Sequence, residues 1–114
     1  MKEKISSNGW LLIDKPEGIE SFGVIRKLKF RYSFHKIGFA GTLDPLASGL
    51  LLIGVNKATK KIPNVHNEKK SYIVEIRFGA TTNTLDSEGR FSKMKPISHS
   101  IRDRTHYLKN FIGT

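Results

Sequence analysis

Cysteine is absent from this 114-residue chain. That excludes disulfides, thiolate zinc sites and a cysteine nucleophile together, and is consistent with a reducing compartment. No apolar run approaches the ~20 residues needed to span a bilayer. The opening stretch Met1–Asn8 carries charge but no signal-peptide cleavage pattern follows it, so the chain reads as cytoplasmic. Internal repeats and low-complexity tracts are missing. The four histidines, His35, His66, His99 and His106, are scattered. None forms the close pair of a sequence-local metal site, and no metal is expected. Acidic residues are scarce, with 10 Asp+Glu against 20 Lys+Arg, a formal charge of +10. Polyanions are the natural partners, nucleic acid first and anionic membrane second. The membrane reading lacks a basic amphipathic helix with a large apolar face. A generally basic surface without a specific partner is the plainer alternative.

What is present suits one domain at most. The hydrophobic fraction of 38% and charged fraction of 26% are those of a globular chain. Trp10–Ile13 reads as a short buried strand, followed by a turn at Lys15–Gly18. Ser21 is placed to cap a helix with Phe22, Ile25, Leu28 and Tyr32 on its apolar side and Arg26, Lys27, Lys29 and Arg31 on the other. That basic side is either a solvated face or one turned toward phosphates. Leu50–Val55 reads as a central strand. Asn56 would cap a short helix, 57–62, stopped by Pro63. Residues 65–70 form a polar connector. From 71 to 78 the pattern alternates, with Tyr72, Val74, Ile76 and Phe78 on one face, which predicts a strand. Residues 80–90 read as a loop. Beyond Pro96, Ser100 and Asp103 fit a capping box, Ile101, Leu108 and Phe111 or Ile112 give a weak helical stripe, and Gly113 would end it. The element order favours an α+β fold, a mixed sheet with helices packed on it.

The densest cluster of special residues is Gly38-Phe39-Ala40-Gly41-Thr42-Leu43-Asp44-Pro45-Leu46-Ala47-Ser48-Gly49. Pro45 biases Asp44 toward an extended or turn conformation. A carboxylate at such a bend can be nucleophile, base, metal ligand or a cap of its own turn. A Walker loop is excluded, because no Gly-Lys-Ser/Thr follows at the required spacing. Gly38–Gly41 also fits the GxxG clamp of KH domains, though its middle residues are apolar and a strand follows rather than a helix. Tyr72 is either a core tyrosine or an aromatic platform for a base. Lys15 is a surface turn lysine, a phosphate contact, or a support for the Asp44 loop.

Three segments, taken in order, resemble one family. They are Gly9–Gly18; Lys36–Leu51 running on to Ala58-Thr59-Lys60; and Lys70-Ser71-Tyr72 with Thr82–Gly89. The family is TruB, the bacterial tRNA pseudouridine-55 synthases, with their dyskerin-like eukaryotic relatives. The resemblance implies isomerisation of the T-loop uridine of tRNA to pseudouridine, without cofactor or metal. Asp44 would attack the target nucleotide covalently, at base or sugar, after that nucleotide leaves the stack. Tyr72 would stack on the flipped base, and Phe39, Lys15, Gly41 and Thr42 would lie at the substrate. Phe39 stands where bacterial relatives usually carry a histidine that wedges into the T-loop. Family members also continue further, with a basic partner for the aspartate, a pocket-lining strand residue and usually a C-terminal RNA-binding domain. The chain is therefore expected to comprise an N-terminal extension, 1–8, and the N-terminal part of a pseudouridine synthase catalytic domain, 9–114. The alternative is a truncated, catalytically inactive RNA-binding remnant.

Overall fold

The longest apolar run becomes the middle strand of a sheet. The computed structural model describes residues 1–97 and 101–114, with side chains in the latter stretch from residue 105 onward. These form two compact units, Met1–Tyr72 and Ile73–Thr114. The first unit runs β1 (Glu3–Ile5), β2 (Gly9–Lys15), α1 (Ser21–Arg31), β3 (Tyr32–Phe34), β4 (Ile37–Ala40), β5 (Gly49–Val55), a 3-10 helix (Asn56–Lys61) and α2 (Ile62–His66). β5 lies between β2 and β4, antiparallel to both. β1 pairs in parallel with β3, so residues from the expected extension take part in the fold. The class is α+β.

Period-2 geometry divides β5 between two faces. Leu51, Ile53 and Val55 point into the core, where Val24 and Ile25 of α1 meet them. Each such side chain, fully buried, contributes roughly 1.5–3 kcal/mol of transfer free energy. On the opposite face Leu12 and Leu50 remain exposed. Gly38 and Gly54 are directly paired across β4 and β5. A Cβ on either would come within 3.2–3.3 Å of the Ile62 Cδ1, so the missing side chains let α2 approach the sheet. Gly38 thus serves strand–helix packing, and the first three residues of the GxxG run belong to β4, not to a KH-type loop.

Several expectations are corrected. The buried side of α1 is Ser21, Gly23, Val24 and Ile25; Phe22 is exposed and Tyr32 begins β3. The residue capping α1 is Glu20, and the Ser21 hydroxyl makes no capping bond. Asn56 makes no side-chain cap either. Pro63 does not stop a helix but lies in the first turn of α2, where a missing N–H costs nothing. Residues 71–78 form no strand. Their alternation specifies two faces but supplies no hydrogen-bonding partner, and a strand exists only in a ladder.

The second unit contains β6 (Ala80–Thr82) and β7 (Phe91–Met94), an antiparallel pair within and beside the segment expected to be a loop. α3 (Ile101–Leu108) and a 3-10 turn at Lys109–Phe111 follow. The expected stripe is not buried at Leu108, Phe111 or Ile112. The capping-box reading of Ser100 and Asp103 lies outside the described residues.

Candidate active site

Asp44 sits on the turn joining β4 to β5, and its side chain is exposed. The chain leaves β4 through Gly41, whose φ of +79° is strained for any residue with a Cβ. Past the aspartate, the Asp44 carbonyl accepts the Ala47 N–H at 2.9 Å, which closes the turn. The carboxylate itself has no hydrogen bond or ion pair among the described residues.

Both neighbours of Asp44 are gripped from the β2–α1 region. On one side, the Ser21 hydroxyl donates to the Leu43 carbonyl at 2.9 Å and accepts the Leu43 N–H at 2.9 Å. The Thr42 hydroxyl donates to the same Ser21 oxygen at 3.3 Å. On the other side, the Pro45 carbonyl accepts the Gly18 N–H at 2.7 Å and the Lys15 ammonium at 3.3 Å. That ammonium also donates to the carbonyls of Ile19 at 2.7 Å and Pro16 at 2.9 Å. Lys15 is 0% exposed. Its expected place at the substrate is therefore corrected: all three ammonium protons are directed at main-chain oxygens, and it is the support for the loop.

Phe39 lies on β4 just ahead of the turn, packs against the core and meets the ring of Phe22 edge-on, with centroids 5.9 Å apart. The stem of Lys70 lies beside Gly41, its Cε 3.6 Å from where a Cβ would be. The Lys70 ammonium is held by the carbonyls of His66 and Glu68. Tyr72 is 64% exposed and stands outside any strand. Among the described residues no hydrogen bond or ring contact joins it to the Asp44 loop. The structure thus brings together Asp44, Thr42, Gly41, Phe39 and Lys15 on one turn and its supports.

Charge is otherwise little compensated. Among the described residues one ion pair forms, Arg26 with Glu20 at 3.4 Å, both well exposed. Such a pair contributes at most about 1 kcal/mol. Lys57, Lys60 and Lys61 are exposed on the 3-10 helix after β5.

Sequence reading missed Ser21 and Gly18 as partners of the loop. Ser21 carried one local signal, a helix start, whereas its hydroxyl acts across 22 positions. No periodicity encodes such a bond.

A family model described as TruB family pseudouridylate synthase (N terminal domain) matches residues 27–114. The chain belongs to the TruB family. It is 40% identical over 109 residues to the tRNA pseudouridine synthase B of Ruegeria pomeroyi, covering 93% of this chain and 35% of that one. With the tRNA pseudouridine synthase B of Thermus thermophilus the identity is 42% over 100 residues, 88% of this chain and 32% of the relative. With that of Fusobacterium nucleatum it is 45% over 105 residues, 92% and 37%. The chain thus spans about a third of the length of these TruB relatives. The glycine-flanked turn, residues 36–51, falls inside the matched TruB region, whereas its supports Lys15, Gly18 and Ser21 precede that region.

Proposed function

We propose that this chain carries the nucleophile-bearing part of a tRNA pseudouridine synthase, acting on the T-loop uridine at position 55 with Asp44 as nucleophile. The observation that carries this reading is an exposed carboxylate on a turn held at both flanks. A nucleophile needs that combination, because access lets substrate in and rigid flanks limit the orientations to be searched. The reaction exchanges an N-glycosidic for a C-glycosidic bond within one nucleotide. Atoms and electrons balance without an external group. Covalent attachment to Asp44 would hold the intermediate while the base turns over. The target nucleotide must first leave its stack. Tyr72, Phe39, Gly41 and Thr42 are the proposed substrate contacts, and the exposed lysines would hold tRNA phosphates. The setting would be the cytoplasm.

A second reading, an RNA-binding remnant without turnover, is favoured by one observation. No basic side chain pairs with the Asp44 carboxylate among the described residues. Pseudouridine formation on a T-loop stem RNA, wild type against Asp44→Ala, separates the two. Turnover lost in Asp44→Ala supports the catalytic reading, and turnover that survives the substitution sinks it. Equal RNA binding with no turnover in either protein supports the remnant.

A further inference from the structure

We infer that Ser21 is a positioning residue for Asp44; the inference rests on the reading of Asp44 as nucleophile. Ser21 is the first residue of α1 and is 3% exposed. Its hydroxyl takes both main-chain groups of one residue, donating to the Leu43 carbonyl and accepting the Leu43 N–H, each at 2.9 Å. Those two groups belong to different peptide planes. The N–H lies in the peptide joining Thr42 to Leu43, and the carbonyl in the peptide joining Leu43 to Asp44. One hydroxyl therefore fixes two successive planes, the second ending at the Asp44 nitrogen. On the far side, the Gly18 N–H and the Lys15 ammonium fix the Pro45 carbonyl, and the proline ring fixes its own φ. Asp44 then has its Cα held from both directions, and its carboxylate searches by side-chain torsions alone.

Serine suits this position. A hydroxyl is the smallest side chain that donates and accepts at once. It is also anchored, because Val24 and Ile25 of the same helix are buried in the core. The Thr42 hydroxyl adds a third bond to the Ser21 oxygen at 3.3 Å. A capping serine would spend its oxygen on its own helix; here the bonds are made across the fold.

The test uses the full chain with two readouts. Amide hydrogen exchange compares Leu43 in wild type and in Ser21→Ala; steady-state kinetics on a T-loop stem RNA compares kcat and KM. The expected result is a protected Leu43 amide that becomes fast-exchanging in Ser21→Ala, while the amide of Ile53 stays protected. The kcat should fall by about 100-fold, the scale of a misplaced reacting group, with KM within a few-fold. Leu43 exchange unchanged by Ser21→Ala, or kcat unchanged, overturns the inference. If Ser21→Ala does not fold, wild type decides: a Leu43 amide exchanging as fast as in an unstructured peptide overturns it, and a protected one supports it. Asp44→Ala, run alongside, tests the nucleophile reading alone, since the Leu43 exchange rate does not depend on the carboxylate.

Discussion

The ammonium of Lys15 reaches the carbonyl of Pro45, 30 positions along the chain, at 3.3 Å. A fully buried cation is tolerable only when its charge is solvated by the protein, and three carbonyls do that here. Lys15→Met keeps most of the stem and removes every donor. The expected cost is about 3 kcal/mol, the scale of losing hydrogen bonds to a charged group and stranding their acceptors. Urea unfolding measures it, and a midpoint equal to wild type would refute the supporting role. The salt dependence of RNA binding gives a second check. Lys15→Met should leave the slope of log K against log salt unchanged, whereas Lys60→Met, at an exposed position, should reduce it by about 1.

Asn56 carries a similar load with a neutral side chain. Its amide donates to the carbonyls of Ile5 at 3.0 Å and Ser7 at 2.7 Å, and its oxygen accepts the N–H groups of His35 at 2.9 Å and Lys36 at 3.1 Å. Its φ is +54°, a region where asparagine is tolerated and alanine is not. Asn56→Ala is expected to lose about 2–4 kcal/mol from unmade hydrogen bonds and backbone strain together. Asn56→Gly removes the same bonds without the strain and should be less destabilised by about 1 kcal/mol. Thermal melts of the pair decide it: Gly no better than Ala would mean the backbone conformation contributes nothing.

Phe39 links the fold to the proposed chemistry. Its ring packs on the core and edge-on against Phe22. Phe39→His should lower stability by about 1–2 kcal/mol through lost aromatic contact and apolar burial. It should also restore a ring that can hydrogen-bond to RNA, changing T-loop stem affinity or turnover. Binding and pseudouridine formation are read on the same variant. If both match wild type while stability falls, Phe39 is a core residue and the RNA role is gone.

What the sequence made legible follows from how each feature is encoded. β2 and β5 are written in consecutive apolar residues, and α1 in its spacing, so these were readable, as was the turn holding Asp44. The face of α1 is hard to read because Phe22, the largest apolar residue of its first turn, is exposed, while the small Ser21 and Gly23 are buried beside Val24 and Ile25. Short β3 and β4 escaped notice because their ladders depend on distant partners. The converse error came at 71–78, where alternation was clear but no strand forms. Asn56 reads as a cap residue, and for Lys15 support of the Asp44 loop is one of three open readings. The Asn56 side chain bonds main-chain groups 20 to 51 positions away, and Lys15 reaches one 30 positions away, partners that the folded chain identifies.

Asp86 offers a prediction in pH. In the loop between β6 and β7 its carboxylate accepts the Thr84 hydroxyl at 2.6 Å and the Glu88 N–H at 2.9 Å. The Thr84 bond first, then the bonds from the backbone at Glu88 and Gly89, hold its pKa below the usual carboxylate value. A depressed folded value means the ionised form favours the ordered loop. That contribution is complete above the unfolded value, roughly pH 4, and is lost as pH falls through the folded value. The Glu88 amide resonance should therefore titrate with a midpoint below that of aspartate in an unstructured peptide. In Asp86→Asn, which keeps an acceptor but cannot ionise, the step below the peptide aspartate value should be lost. A wild-type midpoint at or above the peptide value, or the same low step retained in Asp86→Asn, would show that Asp86 does not order this loop.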